Sequence, residues 1–263
     1  MKSRRLLLCI IGVYALLHAP ASARGGSLED FVIPTVAFSR LVVEQGNWCE
    51  YRVVEEAMGQ RDSSMLYVAI PRTGRPPEPG FFWLEIMGCP LGSDERDTLT
   101  VRLLLSREIT RFTDRDSLGA YIAAIYIKEG DEPVREGDYD ALSQLETGAP
   151  GDTARWWPDG DERIATRAGE FACTLFSRMR SFEKRVPASG STLITTVSGH
   201  HRTWFSDEVP LFGMVRYTAE RLRDTRLDPP LAGVPVAGAR ASNTRVELVN
   251  FGSGAETVLP PGD

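Results

Sequence analysis

The chain has 263 residues, 42% of them hydrophobic, with 30 basic side chains against 36 acidic ones and a formal charge of −6. That length can bury a sizeable core without disulfide staples. The acidic balance argues against nucleic acid and against anionic membrane surfaces as partners.

At the N-terminus, Lys2, Arg4 and Arg5 precede an uncharged run from Leu6 to Leu17, and Ala21-Ser22-Ala23 follows. A basic end, an apolar stretch and small residues at a cleavage position make, in that order, a secretory signal peptide over residues 1–23. The run falls short of the roughly 20 residues a spanning helix needs. Cys9 sits inside it without small residues before it, so no lipid anchor is expected. Losing the leader removes three basic and no acidic residues, which takes the formal charge from −6 to −9. No later stretch is long and apolar enough to cross a bilayer. The mature chain is therefore expected to be exported, periplasmic or secreted, and not an integral membrane protein.

Residues 24–45 read as an N-terminal lead-in, broken by Pro34. Regular patterning then begins. Trp48 to Val54 alternates with the period of a strand that buries one face. A turn at Gly59 to Ser64 leads to a second β-rich run, Met65 to Ile70, and the two are expected to form a hairpin. A Pro-rich loop over 72–80 precedes an aromatic strand, Phe81 to Met87, and Thr98 to Leu105 is a fourth strand, giving an antiparallel meander. Asp114 to Tyr126 is the one helix candidate, with Leu118, Tyr121, Ile122 and Ile125 at helical spacing; its last residues also suit a strand.

Residues 129–161 are rich in Gly, Pro and acids and contain Trp156-Trp157, which marks an insertion or mobile loop. Strands are expected again at Asp161 to Thr166, Glu170 to Arg178, Leu193 to Val197, Arg202 to Ser206, Gly213 to Ala219 and Val246 to Asn250. The basic stretch Arg178 to Arg185, interrupted by Glu183, reads as a solvated loop, and residues from Ser253 onward as a trailing end. Residues 46–258 are taken as a single β domain and 259–263 as its tail.

Several constellations invite chemistry. Ser198-Gly199-His200-His201 and Ser206-Asp207 contain the residue types of a nucleophilic triad, but no GxSxG elbow is present and neighbours on a strand point to opposite faces. No catalytic residue is assigned, and an enzyme is not expected. Adjacent histidines on a strand rarely chelate one ion, no two cysteines form a CxxC half-site, and Asp159-Gly160-Asp161-Glu162 is only a fragment of a calcium loop, so no metal is assigned. No cofactor is implied. Three cysteines remain after export, and Cys49 with Cys89, on strands read as near neighbours, is the expected disulfide.

The segments Gly46-Asn47-Trp48-Cys49-Glu50-Tyr51, Phe82-Trp83-Leu84-Glu85, Ala168-Gly169-Glu170-Phe171-Ala172-Cys173-Thr174, Trp204 to Val215 and Phe251 to Ala255 form a spaced pattern. It resembles uncharacterised bacterial exported proteins related in architecture to the LolA and LolB lipoprotein-carrier fold. That resemblance implies a mainly β (α+β) domain: a strongly curved antiparallel sheet or incomplete β-barrel, with one or a few helices on the open side. It implies an apolar concave face that holds a lipid, acyl chain or lipoprotein, and Tyr51, Trp83, Leu84, Phe171 and Trp204 are the expected lining. The alternative is a packed envelope scaffold that binds a protein partner through the aromatic loop at Trp156 and Trp157.

Overall fold

The computed structural model describes residues 35–73, 76, 78–92, 98–111, 118–137, 155–188, 191–230 and 238–259. The expected signal peptide, most of the lead-in, much of the 129–161 insertion and residues 260–263 lie outside the described residues.

Among the described residues eleven strands follow in order: β1 (Trp48–Ala57), β2 (Gln60–Ala69), β3 (Phe81–Pro90), β4 (Leu99–Ser106), β5 (Ile122–Glu129), β6 (Arg135–Glu136), β7 (Trp157–Thr166), β8 (Gly169–Ala188), β9 (Ser191–Phe205), β10 (Met214–Asp228) and β11 (Arg240–Gly252). They form one sheet in the order β6-β5-β4-β3-β2-β1-β11-β10-β9-β8-β7. Two antiparallel meanders are thus joined where β1 pairs with β11. The end strands β6 and β7 do not pair with each other, and the sheet stays open.

Turn chemistry sets the registers. β1 and β2 are joined by Met58 and Gly59, with φ of 52° and 74°, and Ala57 pairs with Gln60. Both central residues at positive φ are what a two-residue hairpin turn needs to match strand twist. The turn is therefore tighter than the expected Gly59 to Ser64, and those residues continue the strand. The edge strand β7 carries Pro158, a register shift between Pro158 and Gly160, and the acids Asp159, Asp161 and Glu162. Each discourages another chain from adding to that edge.

Alternation assigns the faces. On the inner face Cys49, Tyr51 and Val53 of β1 align with Leu66 and Val68 of β2, Leu84 and Ile86 of β3 and Val101 and Leu103 of β4, all buried. The 3₁₀ segment Thr35–Arg40 and the 206–213 loop belong to the same core. Phe38 meets Phe212 edge-on at 5.2 Å, Val42 donates its N–H to the Leu211 carbonyl at 2.9 Å, and the Cys49 thiol reaches the Pro210 carbonyl at 3.4 Å. In the second half the sheet curls on itself. β7 touches β11, and Arg216 of β10 donates 3.0 Å to the Ala165 carbonyl of β7, three strands away.

The mainly β, antiparallel, open sheet agrees with expectation, but the helices do not. Among the described residues the only helical pieces are the 3₁₀ segments Thr35–Arg40, Arg107–Arg111 and Leu118–Tyr121. Of the helix expected over 114–126, residues 114–117 lie outside the described residues, and 118–126 form the last of these segments and then β5, where Ile125 and Ile127 pair with Leu103 and Val101. The β-branched isoleucines there fit a pleated surface. The basic stretch is also not a loop: Arg178 to Arg185 lies within β8 and pairs along its length with β9. No helix of the described residues is long and apolar enough to cross a membrane.

The expected Cys49–Cys89 disulfide is not formed, and both thiols are free. Cys49 pairs with Val68 and Val68 with Ile86, so Cys89 lies three residues further along a strand two places away. By the same alternation Cys89 faces outward while Cys49 faces the core. A bridge requires Cα atoms within about 7 Å and converging Cβ vectors, and neither condition can hold. Burial pushes the Cys49 thiol up to about 12 and Cys173 up to about 11, which leaves both protonated and unreactive.

Candidate functional site

Of the five residues expected to line one apolar surface, Tyr51, Leu84, Phe171 and Trp204 belong to one contiguous buried core and Trp83 does not. Tyr51 and Leu84 share the inner face and are both 0% exposed. Trp83 follows the opposite direction to Leu84 and stands half-buried on the outer face, 5.8 Å from Tyr126 between ring centres. Phe171 and Trp204 are buried in the curled second half. There the Trp204 indole donates 2.9 Å to Glu162, and the Arg216 guanidinium sits 6.0 Å from its ring and pairs with Glu247 at 2.6 Å.

The two loop tryptophans also part company. Trp156 is half-buried against the core, edge-on to His201 at 6.4 Å, whereas Trp157 opens β7 and is 39% exposed. Asp159 accepts from Ser177 at 2.6 Å and Asp161 from Thr174 at 3.0 Å, so the acids beside them tie the edge strand to β8.

The residue types of a triad do not converge. His201 is buried and its Nδ1 lies 2.9 Å from the Tyr217 hydroxyl, while His200, its neighbour on β9, takes the other side of the sheet. Ser206 is buried, and Asp207 pairs with Arg40 at 2.9 Å with its side chain 96% exposed. Burial, with Arg221, Arg178, Arg180 and His200 adding repulsion, pushes the His201 pKa down to about 3. The imidazole is therefore neutral at physiological pH. Its protonation must oppose folding: stability contributed above the unfolded value of about 6.5 is lost as pH falls through the window towards about 3. His201→Gln is expected to flatten acid-side denaturation midpoints measured between pH 6.5 and 4, and in the wild type the His201 ring resonances should not titrate between pH 5 and 8.

The strongest polar arrangement is one the sequence pattern did not single out. Glu85 of β3 pairs in register with Arg102 of β4, and both are buried, at 1% and 4% exposure. Arg102 Nε is 3.5 Å from Glu85 Oε1, an ion pair too long to be a tight hydrogen bond, and that Nε has no hydrogen-bond partner among the described residues. The guanidinium lies 4.2 Å from the Trp83 ring centre. Burial pulls the Arg102 pKa down and the Glu85 charge raises it again.

The remaining bonds of this pair go to the chain's own residues 257–259. The Thr257 hydroxyl donates to Glu85 Oε1, the Val258 N–H donates to Glu85 Oε2 at 3.0 Å, and Arg102 Nη1 donates to the Leu259 carbonyl at 3.3 Å. Upstream, the Ala255 N–H donates to Gly46 and the Arg72 N–H to Ala255, both at 2.9 Å. The segment expected to be a trailing end is a strap across the outer face. The signal lay in single charges within two apolar strands, Phe81 to Met87 and Leu99 to Leu105, that a meander places side by side.

Among the described residues no group of three or more His, Cys, Asp and Glu is placed to hold a metal ion. No family model matches the chain. No curated protein matches it. Solved structures do. One, a protein from Bacteroides fragilis assigned as exported and as YmcC-like in fold, shares 12% identity at a TM-score of 0.34, covering 81% of this chain and 98% of that one. Another, assigned as a lipoprotein from Parabacteroides distasonis, shares 13% at 0.32, covering 80% and 96%. A DUF1329 family protein from Desulfovibrio piger shares 10% at 0.30, covering 86% and 92%. Scores this low carry no argument about ligand or activity.

Proposed function

We propose that this chain is a non-enzymatic, exported protein of the cell envelope, a packed β scaffold that acts by binding another protein. The observation that carries the reading is the filled inner face: Tyr51, Leu84, Leu105 and Phe212 are fully buried in one contiguous core. A carrier of the LolA or LolB kind instead needs apolar surface left open for an acyl chain. The residue pattern at 1–23 supports export. Trp157, exposed at the sheet edge, is the anchor that this reading assigns to the partner.

The test is native mass spectrometry with lipid extraction on mature protein from a bacterial periplasm, prepared without detergent. A clean apo mass, unchanged after incubation with phospholipid vesicles, is the expected result. A stoichiometric lipid that survives purification would overturn the scaffold reading in favour of a lipid or lipoprotein carrier.

A further inference from the structure

We infer that the outer face of β3 and β4 is a recognition site for a short turn-forming peptide carrying a hydroxyl residue two positions before an aliphatic one, and that residues 257–259 occupy it in cis, where the Leu259 N–H and carbonyl lie 3.3 Å and 2.7 Å from the Thr257 hydroxyl oxygen. The contacts are those of peptide capture rather than of core packing. A carboxylate receives a hydroxyl and a main-chain N–H, and a guanidinium donates to a main-chain carbonyl two residues on. Thr73 Oγ1 adds an acceptor for the Thr257 N–H at 3.0 Å.

Two further observations separate this site from ordinary packing. Leu259 is 1% exposed, yet it lies outside the contiguous core that gathers the inner-face residues, while Val258 between the two anchors is 48% exposed. Val258 therefore points outward from the turn, between two residues held against the sheet. The buried ion pair is also a poor stabiliser on its own. Taking two charges out of water generally costs as much as their attraction returns, and here the Arg102 Nε is left without a hydrogen bond among the described residues. The strap supplies bonds that the sheet does not.

The site is independent of Trp157 and of whether the inner face takes lipid. A partner segment with the Thr-x-Leu pattern would displace the strap, and the cis copy sets the threshold that it must exceed.

The probe is a fluorescent peptide of residues 254–261, added to the full mature chain and to its Leu259→Ala variant. Loss of the cis anchor is expected to tighten peptide binding at least ten-fold. Changing Thr to Val or Leu to Ala within the peptide is expected to weaken it at least ten-fold. Equal binding of all three peptides, or none to a folded variant, would overturn the proposal. So would a Leu259→Ala-sensitive dimer that ignores the peptide, which would assign the site to exchange between copies. Should the variant not fold, hydrogen exchange on the wild type decides. Val258 and Leu259 amides that exchange while the sheet stays protected support the site, and exchange only through global unfolding overturns it.

Discussion

Arg102→Met alone is expected to lower the free energy of unfolding by about 3–5 kcal/mol, because it leaves the Glu85 carboxylate buried and uncompensated. The double variant Glu85→Leu with Arg102→Met should recover most of that loss, since a pair of apolar side chains on adjacent strands carries no desolvation cost. The recovery has a structural consequence: the Val258 N–H loses its acceptor and turns to water, while the Leu259 carbonyl loses the guanidinium and keeps the Thr257 hydroxyl at 2.7 Å. Global stability near that of the wild type with unprotected strap amides is therefore the expected combination. Urea denaturation of the four species of the cycle, with exchange on the strap, measures both. A single variant as stable as wild type, or a double variant as unstable as the sum of the singles, would show that the pair is not electrostatically coupled.

Much of the sheet was readable because its determinants are local. Period-two burial at Trp48 to Val54 requires only that one face be apolar, and Leu99 to Leu105 is an apolar, β-rich run buried on both faces; both are strands. What escaped was length. β8 runs to Ala188 and β9 is continuous from Ser191 to Phe205, although Arg178 to Arg185 and Ser198-Gly199 carry turn-like or solvated residues. Pairing with a neighbour over that whole length holds them as strands, and cross-strand pairing is invisible to any single-segment pattern. The helix expected over 114–126 failed for a related reason. Apolar residues at helical spacing also include Ile125 and Ile127, two apart, and the β4 edge was there to receive them.

The site was less legible than the fold. Choosing Tyr51, Trp83, Leu84, Phe171 and Trp204 rested on bulk and on a resemblance, and bulk does not tell which face a residue takes. The register does: Trp83 and Leu84 are neighbours in sequence and must diverge. The Cys49–Cys89 bridge failed by the same parity. Conversely, Glu85 and Arg102 could be matched only once β3 and β4 were paired, and the strap could be placed only once that buried pair showed which bonds it lacked.

That divergence also supplies the sharpest test of a filled interior. Leu84→Ala removes a fully buried side chain from the inner face and is expected to cost about 2–5 kcal/mol. In a domain of this size that corresponds to a fall in Tm of roughly 2–4 °C per kcal/mol. Trp83→Ala, one residue away on the outer face, should leave the core intact but remove the ring on which Arg102 rests, so its effect should appear first as loss of strap protection. Thermal melts and hydrogen exchange on the two variants separate these outcomes. Were Leu84→Ala to cost under about 1 kcal/mol, the inner face would not be close-packed around it, and a void able to take an acyl chain would again be the better account of that surface. A large loss at Leu84 together with a local opening at Trp83 fits an arrangement in which the inner face holds the fold and the outer face holds the strap.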